Sequence, residues 1–168
     1  MDTVDAGYRA PGQPGHGLVI VSTRFKTDCK EEEMPSVDLV SWSTWYEQGV
    51  SGAFPVTGPA DRRDFQNPPG YLIVRELRAN PHEFRYFDIN DVRMQLRGGI
   101  PFKVEEGKAV YLGELQMSYT NCNTHPAVGL AVKDAWERDL RLLLTKMPNL
   151  RPEDVIKQVL PSSPPSQR

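Results

Sequence analysis

What this chain lacks narrows the possibilities first. No run of apolar residues approaches membrane-spanning length. The opening MDTVDAGYRAPGQPGHG carries no apolar stretch of the signal-peptide kind. Two readings follow: a cytoplasmic protein, or a chain that starts after a removed export signal, with the Gly/Pro-rich opening as a flexible tether. A basic excess is missing too: 20 Lys and Arg stand against 22 Asp and Glu, for a net charge of −2. That excludes the electrostatic footprint of a nucleic-acid binder and a polybasic face for anionic lipid.

Cysteine and histidine are scarce, with two and three copies. A disulfide between Cys29 and Cys122 would close a long loop and stabilise the fold by on the order of 4 kcal/mol in the chain-entropy model. The alternative is two free thiols, because spacing alone does not bring two Cα atoms into bonding range. Cys122 and His125 in NCNTH make half a zinc site, but a structural site needs four ligands, and Cys29, His16 and His82 are not at ligand spacing. A Cys122 nucleophile with His125 as its base would need an orienting third group and an oxyanion site. The same loop reads as a polar turn. No Gly-x-Ser-x-Gly elbow occurs, and Gly98–Gly99 leads into a strand rather than a phosphate-binding helix. Asp28 and Glu31–Glu33 lack the spaced oxygens and turn glycine of a calcium loop. The expectation is a non-enzymatic protein with no metal and no cofactor.

Proline and glycine are plentiful, at 15 and 13 residues, and punctuate the chain at short intervals. That favours many short strands. The pattern predicts a leader over 1–17, a single domain over 18–160 and a disordered tail over 161–168. Strands are expected at Leu18–Thr23, Val37–Trp45, Ala53–Val56, Tyr71–Leu77, Glu83–Ile89 and Ala127–Lys133. Ile100–Tyr119 is the clearest stretch: a strand, a tight turn at Glu106–Lys108 and a longer strand, each with one face on a core and the other in water. Gly98–Gly99 should end any strand through Val92–Leu96. Trp136, Leu140, Leu143, Leu144 and Met147 recur at helical spacing, predicting a helix over 134–147 with Asp134 as its cap. Pro152 would open a second helix over 152–160. The predicted fold is mainly β: an antiparallel two-sheet sandwich, immunoglobulin-like or prealbumin-like, with a C-terminal helix and a second short one.

The segment GYLIVRELRANPHEFRYFDI, followed by IPFKVEEGKAVYLGELQ, resembles the DUF2846-like bacterial exported proteins and lipoproteins. The match lies over about residues 70–119 and includes Gly107, Lys108, Tyr111, Leu112 and Gly113. It departs at Leu77–Pro81, where Asn80 stands in place of a turn glycine. The resemblance implies a prealbumin-like or immunoglobulin-like sandwich, usually behind a signal peptide and often lipid-anchored. It transfers no catalytic residue.

For binding, the sequence offers two groups. Trp42, Trp45 and Tyr46 form an aromatic cluster; Trp42 and Trp45 differ by three, so a regular strand sends them to opposite faces. One then fills the core, and the exposed one with Tyr46 is a candidate contact. Asp61-Arg62-Arg63-Asp64 is a charged loop tip, either ion-paired within itself or presented to a partner. The expected function is that of an envelope protein, periplasmic or attached to the outer membrane through a lipid anchor, that binds another macromolecule through Trp45, Tyr46, Arg62 and Arg63. The partner is expected to be a protein such as a toxin or secretion component. The alternatives are a carbohydrate-binding module and, third, a hydrolase using Cys122.

Overall fold

The computed structural model describes residues 7–8, 12–30, 40–46, 49–56, 60–67, 69–89, 92–120 and 127–162. Among them are ten strands and one α-helix: β1 (His16–Thr27), β2 (Val40–Tyr46), β3 (Gly49–Pro55), β4 (Phe65–Gln66), β5 (Pro69–Arg78), β6 (Pro81–Ile89), β7 (Val92–Lys103), β8 (Ala109–Thr120), β9 (Ala127–Lys133), α1 (Trp136–Lys146) and β10 (Val155–Lys157). They form two sheets. A six-stranded sheet runs β10-β8-β1-β5-β4, with β9 also on β8, and a four-stranded sheet runs β3-β2-β6-β7. A mainly β, sandwich-like fold with one helix is therefore what the chain adopts.

The continuous apolar runs LVIV and YLIV explain the layering. Alternate side chains leave a strand on opposite faces, so a strand that is apolar at every position needs cover on both sides. Val19, Val21, Tyr71, Ile73, Val110, Leu112, Leu115 and Met117 point into a core shared with Phe54, Phe84, Phe87, Ile100 and Phe102 of the four-stranded sheet. Leu18, Ile20, Leu72, Val74, Ala109 and Tyr111 point the other way, onto Leu143, Met147 and Leu150 of α1 and the turn after it. The molecule thus has three layers: sheet, sheet, helix. The first nine residues of β8 are buried on both faces, not on one as the alternation implied.

Three expectations are corrected. The six-stranded sheet is mixed rather than antiparallel: β1 and β10 both run parallel to β8, while β5 and β9 run antiparallel to their neighbours. The turn at Glu106–Lys108 carries the chain from β7 in one sheet to β8 in the other. Gly98–Gly99 does not end β7 but lies where its register with β6 shifts, between Phe84–Ile100 and Tyr86–Gln95. The second helix over 152–160 is absent: a single 3-10 turn at Pro152–Asp154 leads into β10. Val155 and Ile156 are β-branched, and the open edge of β8 offers them a ladder that continues in Gln158 N to Tyr111 O at 2.8 Å and Leu160 N to Leu112 O at 3.0 Å.

Two smaller differences concern the ends. Of the leader over 1–17, Gly15 N donates to Glu106 Oε1 at 2.7 Å, and Ala79 N donates to Gly15 O at 2.8 Å, so this part is tied to the fold. At the helix start Asp134 accepts from Trp136 N at 3.1 Å, but the residue in the capping position is Ala135.

Gly113 combines a left-handed backbone with a close approach to the neighbouring strand. Its φ is +105°, and a Cβ there would stand 2.9 Å from Lys133 O. We expect Gly113→Ala to cost about 2 kcal/mol, seen as a lower urea midpoint at unchanged slope. His82 supplies a pH test. Its buried ring stacks on Phe102 at 5.4 Å, and Nε2 meets Arg78 O at 2.8 Å. Burial lowers its pKa, opposed in part by that hydrogen bond. Below pH about 6.5 the unfolded chain takes up a proton that the folded chain resists, so stability falls as pH drops through that value. Denaturation midpoints across pH 5–7 should flatten in His82→Gln.

Candidate functional site

Past Ile20 the helix-facing side of the six-stranded sheet changes from apolar to charged. On β1 the same alternation that points Leu18 and Ile20 at α1 next delivers Ser22 and Arg24. On β8 an irregularity intervenes: Ile20 is in register with Tyr111, but Ser22 is in register with Glu114. The extra residue on β8 is a β-bulge at Leu112–Gly113, and it shifts the phase of every later side chain. Without it Tyr111 and Glu114 would face opposite sides. With it they share a face with Ser22, Arg24 and Gln116, and the first turn of α1 lowers Arg138 and Asp139 onto them.

The cluster is closely interlocked. Asp139 is 1% exposed; its Oδ2 accepts from Ser22 Oγ at 2.5 Å and from Tyr111 OH at 2.7 Å. Its Oδ1 accepts from Arg138 Nε at 2.8 Å and Nη2 at 2.6 Å. Nη2 also donates to Ser22 Oγ at 3.0 Å. Glu114, 3% exposed, sets Oε2 at 2.5 Å from Arg138 Nη1 and 3.2 Å from Arg24 Nε, while Gln116 Nε2 donates to its other oxygen. Glu114 Oε2 meets the guanidinium groups as a charge contact rather than through aligned hydrogen bonds. The Phe65 ring lies beneath both arginines, 4.0 Å from Arg138 Cζ and 5.0 Å from Arg24 Cζ. Gly70 makes room for that ring, since a Cβ there would run into it.

Two guanidinium groups balance two carboxylates, so the charges compensate one another away from water. Burial raises the Tyr111 phenol far above its usual range, and the Asp139 carboxylate beside it adds to the effect. For Arg138 burial acts downward, but Asp139 and then Glu114 prevail and lift its pKa. The geometry brings a serine hydroxyl to a carboxylate, as a nucleophile and base would be. However, Ser22 is fully buried and Asp139 already accepts from four donors. What the arrangement does is fasten α1 to β1 and β8.

The residues singled out by sequence lie elsewhere. Trp42 is in register with Phe54 and Phe87, both core residues, whereas Trp45 is in register with Val50 and Glu83, and Tyr46 with Gly49. The side chains of these three lie outside the described residues. Arg62 ends a 3-10 turn at Ala60–Arg62, with Arg63 next to it. Asp64 does not pair with them. It accepts from Leu72 N at 2.7 Å, lies 3.0 Å from Lys146 Nζ, and donates its own N–H to Gly70 O at 2.9 Å. Among the described residues no ion pair engages Arg62 or Arg63. Trp45–Tyr46 and Arg62–Arg63 do not form one site. The first pair sits at the Gly49 end of β3; Thr23 Oγ1 bonds Pro55 O at the other end, beside the Gly70 segment that holds Asp64. β3 is seven residues long, about 20 Å.

Cys29 is disulfide-bonded. It follows Thr27, which is in parallel register with Tyr119, three residues before Cys122. Cys122, His125 and Glu31–Glu33 lie outside the described residues. Among the described residues no group of three His, Cys, Asp or Glu is placed to hold a metal ion.

Sequence reading missed Ser22, Arg24, Glu114, Arg138 and Asp139. The available signal was a polar residue inside a run apolar in both phases, as in VIVST and YLGELQM.

Replacing Tyr111 with Phe removes one donor to Asp139 and the acceptor that Ala135 N uses at 3.3 Å. The expected loss is about 1–2 kcal/mol in urea denaturation; an unchanged midpoint would mean the phenol adds nothing to the clasp. No family model, no curated protein and no solved structure matches the chain, and the resemblance to the DUF2846-like exported proteins draws no support from them.

Proposed function

We propose that this chain is a non-enzymatic binding protein of the bacterial envelope, periplasmic or lipid-anchored. It grips an acidic surface on a protein partner, such as a toxin or secretion component, through Arg62 and Arg63. One observation carries the reading. Asp64 is held by Lys146 and by β5, while Arg62 and Arg63 beside it carry no ion pair among the described residues. Guanidinium forks match carboxylates in pairs, and a turn anchored beforehand loses little freedom on binding.

Two further features support the reading. A disulfide at Cys29 fits an oxidising compartment, and its pairing with Cys122 is part of the proposal. The buried carboxylates are saturated by donors of the chain itself, which suits a scaffold better than a reaction centre. An immunoglobulin-like or prealbumin-like kinship also belongs to the proposal. Any such relative should share the parallel pairing on either side of β8.

The test is affinity capture from envelope extract with the wild-type chain and with Arg62→Glu/Arg63→Glu, followed by titration of the captured species. Charge reversal should weaken binding about a hundredfold and reduce its salt dependence. Equal binding by the two forms overturns the loop as the site. A tryptophan-fluorescence response to cell-wall glycan fragments, unchanged by the reversal, would assign the function to Trp45 and Tyr46 and to carbohydrate instead.

A further inference from the structure

We infer that α1 is a lid hinged on a single strand, and that the Glu114–Arg138–Asp139 clasp is its lock. The segment carrying α1 leaves the six-stranded sheet from β9, where Lys133 is in register with Glu114 of β8. It returns at β10, where Val155 is in register with Ala109 of the same strand. Both hinges are thus fixed to β8, and α1 can lift without breaking either pairing.

Packing divides at the same boundary. The buried residues between the sheets and those under α1 form two clusters, touched in common by the half-buried Val159, and none of the α1 side chains belongs to the first. The sandwich keeps its core when the helix is raised. Segments with their own contact set open as units, at a free energy below that of the whole molecule.

The helix itself is short. It has 11 residues, too few to persist alone in water, and Ala135 at its N-cap position offers no capping side chain, so that only Asp134 accepts from the first helical amide, Trp136 N. Leu143, Met147 and Leu150 grip its C-terminal half and the turn beyond. Its first turn is held by Arg138 and Asp139 on Ser22, Tyr111 and Glu114, with the Trp136 ring against Tyr111 at 5.0 Å. A charge pair closed away from water behaves as a lock, because removing one member leaves the other uncompensated. Opening uncovers Leu18, Ile20, Leu72, Val74 and Ala109, an apolar strip across three strands.

Hydrogen exchange on the full chain, followed by mass spectrometry, tests this. In the wild type, amides of α1 should exchange faster than those of β5 and β6. Asp139→Asn should speed exchange in α1 about a hundredfold, leave β5 and β6 within about threefold, and raise the fluorescence of a dye that binds apolar surface. Glu114→Gln should act in the same direction and carries the test if Asp139→Asn does not fold. The inference is overturned if α1 exchanges in step with β5 and β6 in the wild type, or if either variant accelerates every region equally.

Discussion

A strand with an apolar layer on each side has no face left for charge. β1 and β8 are such strands over Leu18–Val21 and Ala109–Leu112, and the rest of the molecule is arranged around them. One layer is the four-stranded sheet. The other is a helix too small to cover the full length of the strands. Where helix cover ends, the sheet carries charge instead of apolar side chains, and that charge has to be balanced on the spot. The bulge at Leu112–Gly113 makes this possible by bringing Tyr111 and Glu114 to one side.

Buried charge of this kind usually invites a search for chemistry. Here the hydrogen bonds point inward. Asp139 is saturated, Glu114 is divided between two guanidinium groups, and Tyr111 keeps its proton far into the alkaline range. Arg62 and Arg63 make no ion pair among the described residues, and the carboxylate next to them, Asp64, is occupied by Lys146. The compensated charges hold the layers together.

Much of the fold was legible in the sequence. Patterning located most strands to within a few residues, though not β4 or β10, and the spacing of Trp136, Leu143 and Met147 located the helix. Pairing was not legible. Nothing in FKVEEGKAVYL distinguishes a hairpin from a crossover between sheets, because the turn chemistry is local and the partner strands are distant. Pro152 opens a 3-10 turn as readily as a helix, and the outcome was decided by the open edge of β8, a tertiary fact. The charged cluster stayed hidden for the same reason. Ser22, Glu114 and Asp139 are ordinary polar residues until a bulge and a helix position place them within bonding distance. Arg62 and Arg63 were visible as a charged tip, but that Asp64 bonds to Leu72 and Lys146 rather than to them is a tertiary fact, which no local pattern encodes.

The order in which the segments appear has a further consequence. The chain passes between the two sheets four times, and β1, first to be made, lies between β5 and β8. During synthesis the ribosome therefore releases a central strand whose second neighbour follows only on the order of ten seconds later. Until then the most apolar segment of the polypeptide is uncovered along one edge. Distant pairing of this sort folds slowly and favours helper proteins that shield nascent chains. A polypeptide that cannot finish its middle until β8 has been made stays uncompacted for that interval.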